Sequence, residues 1–166
     1  MATMLLRDGV HPVGPDDFPR MLDVWEESVR ATHDFLTEAD IEGLRPLVGE
    51  AFRQPMTLAA VRDEAGQVAG FLGVAGDKLE MLFIHPSFRG GGAGRRLVHH
   101  AVHALGATSV DVNEQNEQAV GFYLAMGFAV EGRSELDGQE NAFPLLHMRL
   151  APSADPADEL RASPPS

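Results

Sequence analysis

Residues 82 to 97 read Leu82-Phe-Ile-His-Pro-Ser-Phe-Arg89-Gly-Gly-Gly-Ala-Gly94-Arg-Arg-Leu97, the pattern of a strand, a glycine-rich loop and a helix start. Successive glycines let backbone N–H groups converge, and the helix N-terminus adds partial positive charge; together they can hold an anion, foremost a phosphate. Between 78 and 96 the cations Lys78, Arg89, Arg95 and Arg96 stand against the single carboxylate of Glu80, in a chain whose net charge is −12. A basic patch on an acidic protein suits a fixed polyanionic ligand. A Walker loop is excluded, because it needs Lys directly after its last glycine and Lys78 is the only lysine present. A dinucleotide fingerprint starting at Gly90 or Gly91 would need glycine where Arg95 and Arg96 stand. The alternative is a tight turn without a ligand, for which four glycines in five positions carry more backbone entropy than a turn requires.

Other chemistry is thinly represented. The chain has no cysteine, which removes zinc ribbons, disulfide frameworks and a cysteine acyl-enzyme. His99 and His103 have metal-like spacing on one helix, with His100 beside them, but no acidic or cysteine third ligand accompanies them, so no metal is expected. There is no HExxH and no GxSxG, and His147, between Leu146 and Met148, reads as structural. With 13 Lys+Arg against 25 Asp+Glu, the chain should repel a phosphate backbone, and nucleic acid is not an expected partner. No apolar run approaches the roughly 20 residues that cross a bilayer, so no membrane partner is expected. The start lacks a signal-peptide pattern, which makes the cytoplasm the expected compartment.

At 166 residues the chain suits one domain, expected over residues 1–150, with a Pro/Ala/Ser-rich tail at 151–166 expected to be disordered. Residues 4 to 10 predict a first strand. Phe18, Met21, Leu22, Trp25 and Val29 recur at helical spacing and predict a helix from about Asp16 to Ala31. Thr37 and Asp40 form a capping-box signal for a second helix through Ile41, Leu44, Val48 and Phe52. A meander follows over 57–63, 67–75 and 78–84, then a helix closed by Gly106, a strand over 108–113, a helix stopped by Gly127, and a last hairpin of 128–135 and 144–150. The order β-α-α-β-β-β-α-β-α-β-β predicts an α/β fold of α+β type, with a mixed, mostly antiparallel sheet of six to seven strands and about four helices.

These residues resemble the GNAT (Gcn5-related) N-acetyltransferases. Their acetyl-CoA loop, Gln/Arg-x-x-Gly-x-Gly/Ala, is matched by Arg89, Gly92 and Gly94; a second motif, Asn-x-x-Ala-x-x-Phe/Leu-Tyr-x-x-x-Gly-Phe, is matched by Asn116, Ala119, Phe122, Tyr123, Gly127 and Phe128. The resemblance covers residues 4 to 150. Ala31–Leu36 and Val112–Tyr123 resemble more narrowly the bacterial YjaB-like branch, whose members are described as peptidyl-lysine acetyltransferases. The resemblance implies a GNAT fold and acetyl-CoA as cosubstrate, held by Leu82, Phe83, Ile84, Arg89, Gly90, Gly91, Gly92, Ala93, Gly94, Arg95, Asn116 and Tyr123. It implies one backbone N–H of the 82–84 strand facing the thioester oxygen, and it is compatible with a homodimer. Asn116 can equally be the N-cap of the fourth helix, and both roles are compatible.

The implied reaction is direct acetyl transfer from coenzyme A to a primary amine: a lysine side chain, a protein N-terminus or a small amine. An alkyl amine of pKa near 10.4 is neutral only about once in 10³ molecules at pH 7, a deficit of roughly 4.6 kcal/mol, whereas a thiol of pKa about 8.5 leaves readily. The base therefore matters more than the acid. Strand alternation puts Glu80, Leu82 and Ile84 on one face leading to the loop, which makes Glu80 the candidate base, and the resemblance implies that it acts through water; the alternative is a solvated strand carboxylate. Tyr123, the only tyrosine, is the candidate acid, because the resemblance places its hydroxyl near the thioester sulfur; the alternative is a packed aromatic on the fourth helix. The resemblance implies that the junction of the first two helices borders the acceptor pocket, so Trp25, His33 and Phe35 are expected to shape it, with capping and packing as the alternative. A noncatalytic acyl-CoA binding or sensing module is the competing function; it would keep Arg89–Gly94 and Asn116 and would not need Glu80.

Overall fold

The computed structural model describes residues 6–137 and 143–152. The expected disorder of the tail falls almost entirely outside the described residues. Seven strands, β1 (His11–Pro12), β2 (Thr57–Arg62), β3 (Val68–Ala75), β4 (Lys78–Ile84), β5 (Ser109–Asn113), β6 (Phe128–Ser134) and β7 (Leu145–Leu150), form one sheet of order β1-β2-β3-β4-β5-β7-β6. Among the described residues four α-helices accompany them: α1 (Phe18–Thr32), α2 (Glu38–Ala51), α3 (Ala93–His103) and α4 (Glu117–Ala125). The first strand is a correction. The 4–10 run is not a strand over its described residues; Leu6 makes one bridge to Asp63, and the short β1 lies at His11–Pro12, where the sequence suggested a turn. Pro12 lacks an N–H and suits an edge position.

Each helix buries the stripe its sequence period implies. Met21, Val24, Trp25 and Val29 of α1 are buried against Phe71 and Ala60 of the sheet, with Ile41 of α2 and Phe52 beside them. The Thr37 capping box forms as expected: its Oγ1 accepts from the Asp40 N–H at 3.1 Å, and the Asp40 carboxylate accepts from the Thr37 N–H at 2.9 Å. On the other sheet face, Leu97, Val98 and Ala101 of α3 and Tyr123 of α4 pack on Leu72, Val74, Leu79, Val110 and Met148. Leu97 is fully buried at the centre of this layer. Leu97→Ala is expected to cost about 3 kcal/mol and lower the thermal midpoint by about 10 °C, read by calorimetry.

Two irregularities in β4 position the site. β4 and β5 run parallel but pair only at Lys78↔Ser109 and Leu79↔Val110, although β4 continues to Ile84 and β5 to Asn113. The strands therefore part, and beyond that point the β5-facing backbone edge of β4 has no strand partner among the described residues. Against β3, Val74 pairs with Leu79 and Gly73 with Met81, so Glu80 is an extra, bulged residue. The bulge inverts the alternation: Leu79 and Leu82 both join the α3/α4 layer.

Candidate active site

The parted strands open onto a cleft of about 430 Å³. Its walls are Leu82, Phe83 and Ile84 of β4; Phe88 to Gly90 and Gly92 of the loop; Ala93 to Arg95 of α3; Asn116, Gln118, Ala119, Phe122 and Tyr123 from α4 and its cap; and Ser28, Thr32 and His33 at the end of α1. The structure thus brings together nearly all the residues expected to hold the cosubstrate, from three separate sequence segments. Gly91 alone of that set does not line the cleft.

The loop meets the requirements of an anion cradle. Gly92 caps α3 at φ 83° and offers no side-chain hydrogen bond to the first turn, so the N–H groups of Ala93 to Arg95 are not capped by it. A Cβ added to Gly90 or Gly92 would meet nothing within 4 Å, so both glycines border open space. Arg89 donates to Gln118 Oε1 at 3.2 Å and ties the loop to α4. Arg96 is occupied with the Arg7 carbonyl and Lys78 with Asp111, which leaves Arg89 and Arg95 as the cleft's cations among the four found in the sequence.

Tyr123 is 6% exposed, with its ring edge-on to Phe122 and Phe128 at 5.2 and 5.6 Å. It is both a packed aromatic and part of the cleft wall. Burial raises its phenol well above the ordinary tyrosine range, so it holds its proton at all working pH values and cannot serve as a base.

His33 closes the other side. Asn116 Oδ1 accepts from the Ala119 N–H at 3.2 Å, which caps α4 and turns Nδ2 toward His33 Nε2 at 3.5 Å. The Thr32 hydroxyl lies 2.8 Å from the Ser28 carbonyl and 2.7 Å from His33 Nδ1. The consistent assignment has Thr32 donating to Ser28, Nδ1–H donating to Thr32, and Nε2 accepting from Asn116. Burial, reinforced by the charge of Arg89 and opposed by Asp34, pushes His33 down to about 4. It is neutral at pH 7. Below pH 6.5 the unfolded chain takes up a proton that the folded one refuses, so this group's contribution falls as pH drops from 6.5 toward 4. Unfolding titrations should show the stability advantage of the wild type over His33→Gln shrinking by on the order of 2 kcal/mol between pH 7 and pH 4.5; a constant difference would contradict a neutral buried imidazole.

Three other expected residues, Trp25, Glu80 and Phe35, do not line the cleft. Trp25 is 3% exposed inside the α1/α2 core and lines no part of the cleft, because the period that makes α1 amphipathic turns it onto the sheet. Glu80, displaced by the bulge, does not share a face with Leu82 and Ile84; it is exposed, lies 4.0 Å from Lys78 and does not line the cleft. Phe35 stands behind His33, ring centres 5.2 Å apart, and touches Phe143 at 5.6 Å. Ser28, Thr32, Phe88 and Gln118 line the cleft without having been singled out in the sequence. Among the described residues no group of three or more His, Asp or Glu is placed to hold a metal ion, and no helix is long and apolar enough to cross a membrane.

Residues 31–152 match the acetyltransferase (GNAT) domain profile. The chain belongs to the GNAT acetyltransferase family. It is 43% identical over 129 residues to the peptidyl-lysine N-acetyltransferase YjaB of Salmonella typhimurium, covering 78% of this chain and 88% of that protein. It is 44% identical over 125 residues to YjaB of Escherichia coli K12, covering 75% and 84% respectively. The solution structure of apo YjaB from Escherichia coli superposes with a TM-score of 0.78 at 37% identity, covering 90% of this chain and 100% of that one. The fold is the GNAT fold, and the chain is an N-acetyltransferase.

Proposed function

We propose that the chain transfers acetyl directly from acetyl-CoA to the primary amine of a cationic acceptor, a peptidyl lysine first, with protein N-termini and small amines in the same chemical class. The observation that carries this is the meeting, in one cleft, of the unpaired β4 edge, the open glycine cradle of α3 and the Tyr123 ring. Unpaired backbone N–H and C=O groups beside an apolar wall fit an amide-bearing arm, and the α3 N-terminus with Arg89 and Arg95 fits its phosphates. Similarity to YjaB, named for peptidyl-lysine acetylation, supports the acceptor class, as does the −12 charge.

In this reading a β4 N–H facing the thioester oxygen stabilises the developing oxyanion, worth about 3 kcal/mol. Glu80 and Asp111 are the first residues beyond the last β4–β5 pair. Asp111 is engaged by Lys78 and His147, so Glu80 is the freer carboxylate at the point where the strands part, and it takes the amine proton through water. Glu80→Gln should lower kcat at least about 10-fold at pH 7 and less at high pH, where the free amine supplies itself; an unchanged rate across pH would remove Glu80 from the mechanism. His33 and Phe35 border the acceptor side.

The test is thiol release from acetyl-CoA against lysine peptides, amino acids and polyamines, beside a calorimetric acetyl-CoA titration. Turnover with the lysine peptides is expected. Tight binding without release from any amine would favour the sensing module instead, and absence of binding would overturn both.

A further inference from the structure

The sheet face opposite α3 and α4 carries a second arrangement, which meets the proposed acetylation site only through the Lys78–Glu80 pair. His147 of β7 has Nδ1 2.7 Å from Asp111 Oδ1 on β5 and Nε2 2.6 Å from Ser134 Oγ on β6. The Lys78 ammonium pairs with the other Asp111 oxygen, and Glu80 lies 4.0 Å from Lys78. Neighbouring on β6 and β7, Glu131 and Arg149 pair with each other. Although partial burial opposes it, Lys78 and His147 hold Asp111 below the usual carboxylate range, so Asp111 is ionised and can only accept. The Nδ1 therefore donates, Nε2 presents its lone pair, and the Ser134 hydroxyl donates to it. This is the connectivity that activates the nucleophile of serine hydrolases.

The array is accessible and stands outside the cleft lining. The His147 and Asp111 side chains are 34% and 24% exposed. The residue opposite His147 is Gly132, beside a bulge at Glu131, so no side chain from that position covers the imidazole. None of the three residues lines the cleft, and Ser134 lies two strands beyond β5, about 10 Å at ordinary strand spacing.

We propose that Ser134, His147 and Asp111 form a second acyl-transfer site, outside the cleft and needing no amine acceptor, at which Ser134 takes an acyl group from a small activated ester or thioester. The Oγ–acyl carbon bond forms as the donor's C–O or C–S bond breaks; the hydroxyl proton passes to His147 Nε2 and on to the leaving oxygen or sulfur. Nothing is oxidised or reduced. Base assistance is worth about 10² to 10⁴-fold, so one acylation per chain followed by slow release is expected.

The test is p-nitrophenyl acetate with the full chain, read by phenolate release and peptide mapping by mass spectrometry. With no cysteine and Lys78 as the only lysine, competing adducts are few. Acetyl on Ser134 is expected in the wild type, at a rate at least about 10²-fold higher than in His147→Gln and at least about 10-fold higher than in Asp111→Asn. Adducts confined to Lys78, Tyr123 or the terminal amine, or an equal rate in His147→Gln, would overturn the site. Ser134→Cys guards against misfolding in the histidine variant: it creates a single thiol, and iodoacetamide should alkylate it at least about 10-fold faster with His147 present than with glutamine there. Equal alkylation would overturn the proposal.

Discussion

Tyr123→Phe is expected to lower kcat for acetyl transfer by about 10 to 10²-fold while leaving acetyl-CoA affinity within about threefold. The ring's packing against Phe122 and Phe128 survives the change, so the cleft wall stays in place and only the hydroxyl is lost. The magnitude follows from what a phenol can do for a thiolate. Burial raises the Tyr123 phenol further above a thiol of about 8.5, so complete proton transfer to the leaving sulfur is uphill by more than about 2 kcal/mol. We propose that the phenol instead supplies a hydrogen bond to developing charge on the leaving sulfur, worth about 1.5 to 3 kcal/mol. Because Tyr123 does not titrate between pH 6 and 9, the loss should be the same across that range. Steady-state thiol release at pH 6, 7.5 and 9 checks this, and full turnover in the variant would reduce Tyr123 to a packing residue.

The parts of the molecule governed by local pattern were legible, and the exceptions share a cause. The helices announce themselves through apolar period and caps, as at Met21–Val29 and Thr37–Asp40, and the loop through glycines that only a turn before a helix explains. Alternation assumes an unbroken ladder and so puts Glu80 on the wrong face; the bulge exists only in the register of β4 against β3, which no single strand reveals. Trp25 lies on the buried stripe of α1 rather than in a pocket, as the period that locates α1 itself requires. The run from residue 4 to 10 has the composition of a strand, yet its described part gains one bridge, because a strand needs a partner edge as well as apolar residues. Ser134, Asp111 and His147 meet only through the pairing of three strands, so a histidine between Leu146 and Met148 gave no sign of its neighbours. Ser28 and Thr32 entered the cleft for a similar reason: they lie where the end of α1 faces α4, a relation set by the sheet between them.

Gly92→Val should raise the dissociation constant for acetyl-CoA at least about 10²-fold, whereas Gly91→Ala should change it by less than about threefold. The two glycines are adjacent but differ in backbone and in surroundings. Gly92 holds φ at 83° and caps α3, where a β-branched residue is strained by about 1 to 2 kcal/mol. Its Cβ would point into open space at the cleft, so the fold need not move to receive it, and the valine methyls would stand before the uncapped N–H groups of Ala93 and Gly94. Gly91 has no positive φ, lies outside the cleft lining, and its Cβ would rest in ordinary contact with the Phe88 carbonyl at 3.5 Å. Calorimetric titration of both variants separates the causes. A large loss confined to Gly92→Val means that the α3 N-terminus binds the phosphates through its exposed donors. Equal losses would mean that the loop works through general pliancy, and the anion cradle would have to be sought at Arg89 and Arg95 alone.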